Sequence, residues 1–174
     1  MKHQTVPLKA IVELVNHLAE TCGVLAEAGY DEASVRAQVA SLIHGYGSPV
    51  LDVGTGACAC MAVTLARRGH SVMAVDTSSS AVRMAQERAT GKLSRRLQVR
   101  HVNATRLPFP DGSYRAVVAF DALCHTSDPA AVLAEMFRVC DGVVVITELN
   151  TAGREITCHR DGGFEKKLKL LWTE

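Results

Sequence analysis

The chain has 174 residues, 48% of them apolar, with 19 basic side chains against 18 acidic ones. That length fits one domain with a substantial core, and a formal net charge of +1 excludes a general electrostatic pull toward nucleic acid or an anionic membrane. No apolar run reaches the roughly 20 residues of a membrane-spanning helix, and Met1-Lys2-His3-Gln4-Thr5 has no signal-peptide apolar stretch, so a soluble cytoplasmic protein is expected.

From the amino terminus, Leu8, Ile11, Val12, Leu14, Val15, Leu18, Cys22 and Leu25 recur at helical spacing, which predicts an amphipathic helix over Leu8–Glu27. Asp31 can cap a second helix carrying Ala33, Val35, Val39, Leu42 and Ile43, stopped by Gly45-Tyr46-Gly47. These two helices, within residues 1–47, either cover the glycine-rich stretch beyond them as a lid or pack against a sheet edge.

The central stretch is Val50-Leu51-Asp52-Val53-Gly54-Thr55-Gly56-Ala57-Cys58-Ala59-Cys60. A short apolar run meets two glycines and continues into helix formers from Ala57 to Arg68, so it reads as buried strand, tight turn and helix. Glycines at 54 and 56 let the backbone approach a ligand closely, and a helix beginning there directs free N–H groups at it. Asp52 is unusual, because a carboxylate on a buried strand calls for a cationic or hydrogen-bonding partner.

Ser71–Val75 predicts the next strand, with Asp76 at its tip, about twenty residues beyond Gly56. An acid there can accept both hydroxyl hydrogens of an adenosyl ribose; Ser78, Ser79 and Ser80 supply caps for a helix through Arg88. Leu97–Val102 forms a third strand ending at Asn103-Ala104, and a loop with Pro108, Pro110 and Asp111-Gly112 leads to a fourth, Ala116–Asp121. Asp128 caps a helix with Pro129 in its first turn, running to Val139, before a fifth strand Val143–Glu148. The alternation predicts an α/β fold, doubly wound, with a mostly parallel sheet, helices on both faces, and a ligand crevice at the strands' carboxyl ends. Residues 48–150 form this core. In the remaining segment, 151–174, Thr151–Arg160 and Phe164–Trp172 each suit either a helix or a hairpin arm.

The ordered motifs Val50-Leu51-Asp52-Val53-Gly54-Thr55-Gly56, Ala74-Val75-Asp76-Thr77-Ser78 and Asn103-Ala104-Thr105-Arg106-Leu107-Pro108-Phe109 resemble the class I S-adenosylmethionine-dependent methyltransferases, especially their small-molecule branch. Ser113-Tyr114-Arg115-Ala116-Val117-Val118 and Leu133-Ala134-Glu135-Met136-Phe137-Arg138-Val139 extend the likeness over roughly residues 49 to 149. The resemblance implies a Rossmann-like sheet of seven strands in the family, against which this chain has an abbreviated carboxyl-terminal end. It also implies S-adenosylmethionine as cofactor and S-adenosylhomocysteine as product. Gly54, Thr55 and Gly56 would line the methionine portion, Asp52 would lie near its amino group, Asp76 and Thr77 would face the ribose, Asn103 and Ala104 would bracket the adenine, and Phe120 would complete the site. The family more often has aspartate at position 103, a third glycine at position 58, aspartate at position 115, and a proline-glycine turn where Cys140-Asp141-Gly142 stands.

The glycines alone also satisfy a dinucleotide pattern, which leaves a nicotinamide oxidoreductase as an alternative. Asp52 favours the methyl donor, since a carboxylate repels a pyrophosphate and attracts an ammonium and a sulfonium. The implied reaction is in-line methyl displacement by a small-molecule nucleophile, in which the protein aligns, excludes water and removes a proton. Asp121 and His125, at the fourth strand's carboxyl end, are the candidate bases; the competing readings are an Asp121 that only receives backbone hydrogens and a His125 that is a solvated loop residue. RNA or protein acceptors and a homodimer stay open, as does a cofactor-binding pseudoenzyme or subunit of a methyltransferase complex.

Six cysteines, at 22, 58, 60, 124, 140 and 158, show no CxxC pair or zinc rhythm, so reduced thiols and no metal site are expected. Cys58, Cys60 and Cys124 nevertheless sit where they can approach the crevice, as core fillers or as a thiophilic site. The basic run Arg83, Arg88, Lys92, Arg95, Arg96 and Arg100, with Arg106 beyond it, has no interleaved aromatic residues and reads as a solvated face rather than an RNA track.

Overall fold

The computed structural model describes residues 31–148; the predicted helix Leu8–Glu27 and the alternatives for segment 151–174 lie outside the described residues. Helix α1 (Glu32–His44) is followed by β1 (Val50–Val53), α2 (Cys60–Arg67), β2 (Val72–Asp76) and α3 (Ser79–Gln86). A 3-10 turn at Gly91–Arg95 leads to β3 (Leu97–His101) and β4 (Tyr114–Phe120), and a second at Leu123–His125 precedes α4 (Pro129–Val139) and β5 (Cys140–Thr147).

The strands form one sheet in the order β3-β2-β1-β4-β5, and each pairing is parallel. From β1 the chain winds outward through β2 to β3, then crosses to β4 on the other side. Strand order therefore reverses beside β1, where a parallel sheet opens a crevice at its carboxyl edge.

The period of two along each strand sorts the core onto two faces. Val50, Val72, Ala74, Val99, Ala116, Val118, Val143 and Val145 pack with Val35, Val39 and Ile43 of α1, Leu65 of α2 and Val82 of α3. On the opposite face Leu51, Val53, Val75, Val117, Ala119 and Val144 meet Val132, Met136 and Val139 of α4. Helix α1 thus packs on a sheet face through its apolar side, while its first residue, Glu32, reaches the crevice.

The caps form at the expected residues. Asp31 accepts from the Ser34 amide at 3.1 Å, Ser78 from Ala81 at 3.2 Å, and Asp128 from Ala131 at 3.0 Å, with Pro129 opening α4. Each is worth about 1 kcal/mol.

Two expectations need correction. Helix α2 begins at Cys60 rather than Ala57, because Ala59 takes a left-handed conformation at φ +46° and lengthens the turn. Cys140-Asp141-Gly142 does not make a turn: it is the start of β5, directly after α4, with a register irregularity opposite Tyr114 and Ala116. A Cβ on Gly142 would lie 2.1 Å from the Arg115 carbonyl oxygen, which leaves room only for glycine, and the Arg115 guanidinium pairs with Asp141 at 2.7 Å. Among the described residues no helix is long and apolar enough to cross a membrane.

Candidate active site

Strand β1 is buried along its whole length and delivers the glycine turn to the crevice mouth. The Gly54 and Thr55 amides both donate to the Val75 carbonyl, at 2.8 and 3.1 Å, tying the turn to β2. Gly54 (φ +76°) and Gly56 (φ +64°) occupy the left-handed region that favours glycine. They serve different ends. A Cβ on Gly54 would sit 2.4 Å from the Ala122 Cβ, so this position lets the β1 and β4 loops close together, whereas one on Gly56 would meet nothing within 4 Å. The family's usual third glycine is replaced at Cys58, and the left-handed residue in this part of the turn is Ala59.

The Gly56 amide donates to Asp76 Oδ2 at 2.9 Å, and the Ser78 amide donates to Asp76 Oδ1 at 2.8 Å. The predicted ribose acid is therefore also the brace between the turn and β2. An ionised carboxylate has about four lone-pair sites, so two remain for ligand hydroxyls. Thr77 is exposed beside it, its carbonyl accepting from His101 Nε2 at 2.8 Å.

Asp52 is 1% exposed and accepts from Thr55 Oγ1 at 2.7 Å. Burial pushes its carboxyl up to about 7, against which the Thr55 hydroxyl acts. Asn103 is held by its neighbour: its Oδ1 accepts from both the amide and the hydroxyl of Thr105, at 3.0 and 2.9 Å. Both carbonyl lone pairs are then engaged, and the Nδ2 hydrogens are what Asn103 can offer a ligand. An adenine ring nitrogen suits that donor better than the exocyclic amino group.

At the ends of β4 and β5 stand Phe120, Asp121 and, unanticipated from the sequence, Glu148. Asp121 has φ +53°, its amide donates to the Thr147 carbonyl at 2.9 Å, and its Oδ1 is buried without a hydrogen-bond partner. Burial pushes its carboxyl up to about 8, with the charges of Glu148 and Glu32 adding to the effect. Glu148 is 7% exposed, accepts from the Leu123 amide at 2.7 Å, and is also pushed up by burial. His125 is exposed in the 3-10 turn at the rim. Glu32, the other unanticipated acid, pairs with Arg36. An acid ending the predicted fifth strand was a readable signal for Glu148; Glu32 becomes visible only once α1 is folded onto the sheet.

All these positions converge. Asp52, Gly54, Thr55, Gly56, Asp76, Thr77, Asn103, Ala104, Phe120, Asp121 and His125 line one crevice of about 1240 Å³, together with Glu32 and Glu148. That volume exceeds the 300–1,000 Å³ typical of single-ligand pockets, so a cofactor and an acceptor can share it. With Asp128, six carboxyl side chains line this crevice, which suits a ligand carrying ammonium and sulfonium charge and disfavours a pyrophosphate. The donor set fits S-adenosylmethionine.

Cys58, Cys60 and Cys124 also line the crevice. Among the described residues, no group of three or more His, Cys, Asp or Glu could hold a metal ion. The basic residues are exposed, and three of them have protein partners: Arg88 donates to the Cys58 carbonyl at 3.3 Å, Arg96 to that of Gly69, and Arg100 lies 5.7 Å over the Phe109 ring.

Comparison with known proteins agrees with this geometry. A family model described as a methyltransferase domain matches residues 51–146. The demethylmenaquinone methyltransferase of Beutenbergia cavernae is 37% identical over 127 residues, covering 71% of this chain and 50% of that protein. That of Clavibacter sepedonicus is 29% identical over 146 residues, covering 83% and 58%. Among solved structures, the (4+2)-cyclase SpnF superposes with a TM-score of 0.59 at 27% identity, over 67% of this chain and 46% of that one. The chain spans about half the length of the curated relatives it matches. A family model covering more than half of the chain, on a sheet whose crevice gathers the ordered motifs, shows that this chain belongs to the class I S-adenosylmethionine-dependent methyltransferase family.

Proposed function

We propose that the chain binds S-adenosylmethionine in this crevice and directs its methyl group to a small-molecule nucleophile. The cofactor, when bound, supplies a methyl group on a cationic sulfur, already activated for displacement. The residues then have separate tasks. Gly54, Thr55 and Gly56 admit the methionine portion, Asp52 takes its ammonium, Asp76 and Thr77 take the ribose hydroxyls, and Asn103 with Ala104 holds the adenine. One observation carries this reading: Asp52, Asp76 and Asn103, from three strand ends far apart in sequence, face one acid-lined crevice.

Asp121 is assigned to the acceptor. In its ionised form, which gains as pH rises toward about 8, this carboxyl can take a proton from a hydroxyl or amine as the nucleophile forms, and its Oδ1 is buried without a hydrogen-bond partner. His125, exposed at the rim of the same crevice, is the second candidate. Two curated relatives bear names from quinone methylation, which makes phenols and quinols the first acceptors to test. A binding module without transferase activity is the second reading, favoured by the SpnF likeness, since that protein is described as a cyclase and a shared fold does not fix the reaction.

Titration calorimetry with S-adenosylmethionine tests the cofactor site. Micromolar binding that weakens at least roughly tenfold in Asp76→Ala is expected; no binding by the intact chain overturns the proposal. Transfer of labelled methyl to a panel of phenols and quinols then separates enzyme from binding module, with the latter indicated by binding but no transfer.

A further inference from the structure

Cys58 and Cys60 are not absorbed by methyl transfer. They flank Ala59, whose left-handed backbone folds Cys58-Ala59-Cys60 back on itself immediately before α2. The two thiols act on each other across this turn, Cys60 lowering that of Cys58 and Cys58 raising that of Cys60. Both side chains line the crevice, Cys58 exposed and Cys60 partly so. The same turn is closed by the Ala59 amide donating to the Gly56 carbonyl at 3.3 Å, and Gly56 is braced to Asp76. The two sulfurs are thus joined through this turn to the segment assigned to the methionine and ribose portions of the cofactor.

We infer that Cys58 and Cys60 are a redox-active dithiol that closes to a disulfide under disulfide oxidants such as oxidised glutathione and thereby shuts the cofactor crevice. The inference rests on the reading of this crevice as the cofactor site. The chemistry divides between the two residues. Cys58 is the attacking group: it is the more exposed of the two, and its neighbour Cys60 holds its thiol below the ordinary range, which favours the thiolate. Its sulfur attacks one sulfur of oxidised glutathione, forming a mixed disulfide and releasing one glutathione thiolate. Cys60 resolves the adduct: it gives up its proton to water, attacks the Cys58 sulfur, and releases the second glutathione. Two electrons pass from the cysteine pair to the oxidant, and the two released thiolates take up the protons. The remaining described cysteines are poorer nucleophiles, because burial pushes the thiols of Cys124 and Cys140 upward.

Trypsin cleavage after Arg36 and Arg67 releases residues 37–67, which contain Cys58 and Cys60 and no other cysteine. Full-length protein treated with oxidised glutathione and then alkylated should yield this fragment unalkylated and lighter by two hydrogens. Cys58→Ser should abolish the reaction, and Cys60→Ser should stop it at the glutathione adduct on Cys58. Calorimetry on the same oxidised sample should show affinity for S-adenosylmethionine reduced roughly tenfold or more, restored by dithiothreitol, whereas the affinity of Cys58→Ser should be the same before and after the oxidant. Alkylation of both cysteines in the fragment while Cys124 or Cys140 is oxidised overturns the dithiol, and a disulfide that leaves affinity unchanged overturns its control of the crevice. If the reduced protein does not bind the cofactor, the functional reading and this control of the crevice both fail, while the fragment mass still reports on the dithiol.

Discussion

Asp76 Oδ2 accepts the Gly56 amide hydrogen at 2.9 Å, joining the tip of β2 to the turn after β1. Its other oxygen holds the Ser78 amide at the start of α3. The residue assigned to the ribose is therefore structural before any ligand arrives. Asp76→Ala loses two hydrogen bonds to a charged acceptor and is expected to cost about 2 kcal/mol. Asp76→Asn retains one acceptor oxygen but turns an NH2 group toward the other amide, so it should cost about half as much. Urea unfolding of the three proteins checks the order; equal midpoints would show that the brace contributes nothing.

The two turn glycines separate a steric demand from a conformational one. Gly54→Ala puts a Cβ 2.4 Å from the Ala122 Cβ at a left-handed backbone, whereas Gly56→Ala meets only the backbone penalty of about 1–2 kcal/mol. Gly54→Ala should be the more destabilising by at least about 1 kcal/mol. The double variant Gly54→Ala with Ala122→Gly should recover that difference and no more. A double-mutant cycle by thermal unfolding reads it directly, and strict additivity would remove the Gly54–Ala122 contact as the cause.

Much of this arrangement is legible in the residue pattern. Short apolar runs ended by glycine or a capping residue locate the strands, and Asp31, Ser78 and Asp128 mark helix starts because their side chains act on amides only a few residues away. Such local chemistry is written locally. The start of α2 is not, since Ala59 adopts the left-handed form although alanine has no local preference for it. Nor is the use of Asn103 by Thr105 evident from residue type alone. Cys140-Asp141-Gly142 resembles a turn, yet pairing with β4 draws it into a strand. The acid cluster of Asp121, Glu148 and Glu32 depends on β4, β5 and α1 meeting at one corner, a relation that no spacing rule encodes.

That cluster makes stability depend on pH in a definite direction. Asp121 keeps its proton in the folded state up to about 8, while in the unfolded chain it ionises near the ordinary carboxylate value of about 3.9. Between these values the folded state binds more protons, so rising pH lowers the stability that Asp121 contributes, and the loss is complete above about 8. His70, lowered by burial, acts in the opposite sense below about 6.5, so the variant difference is the cleaner quantity. Asp121→Asn copies the protonated shape at a backbone that asparagine tolerates. It should stabilise the protein by about 1 kcal/mol or more at pH 8 and make no difference near pH 4, while slowing methyl transfer by roughly 10²-fold or more. Thermal melts across pH check the first part and turnover checks the second. Unchanged turnover would remove Asp121 as the base.

Asp52 links cofactor binding to protons. Its carboxyl, raised to about 7 by burial, is partly protonated at neutral pH, and a bound ammonium nearby favours the ionised form. Binding of S-adenosylmethionine near pH 6.5 should therefore release protons, and affinity should rise with pH until Asp52 is ionised in the free protein. Titrations in phosphate and in Tris, whose ionisation heats differ, should give different apparent enthalpies for the intact chain. In Asp52→Asn the part of that difference owed to Asp52 should vanish, together with its share of the rise in affinity. Glu148 and Asp121 are also raised, so a buffer dependence that survives unchanged in Asp52→Asn would transfer the linkage to those acids and separate Asp52 from the cofactor's amino group.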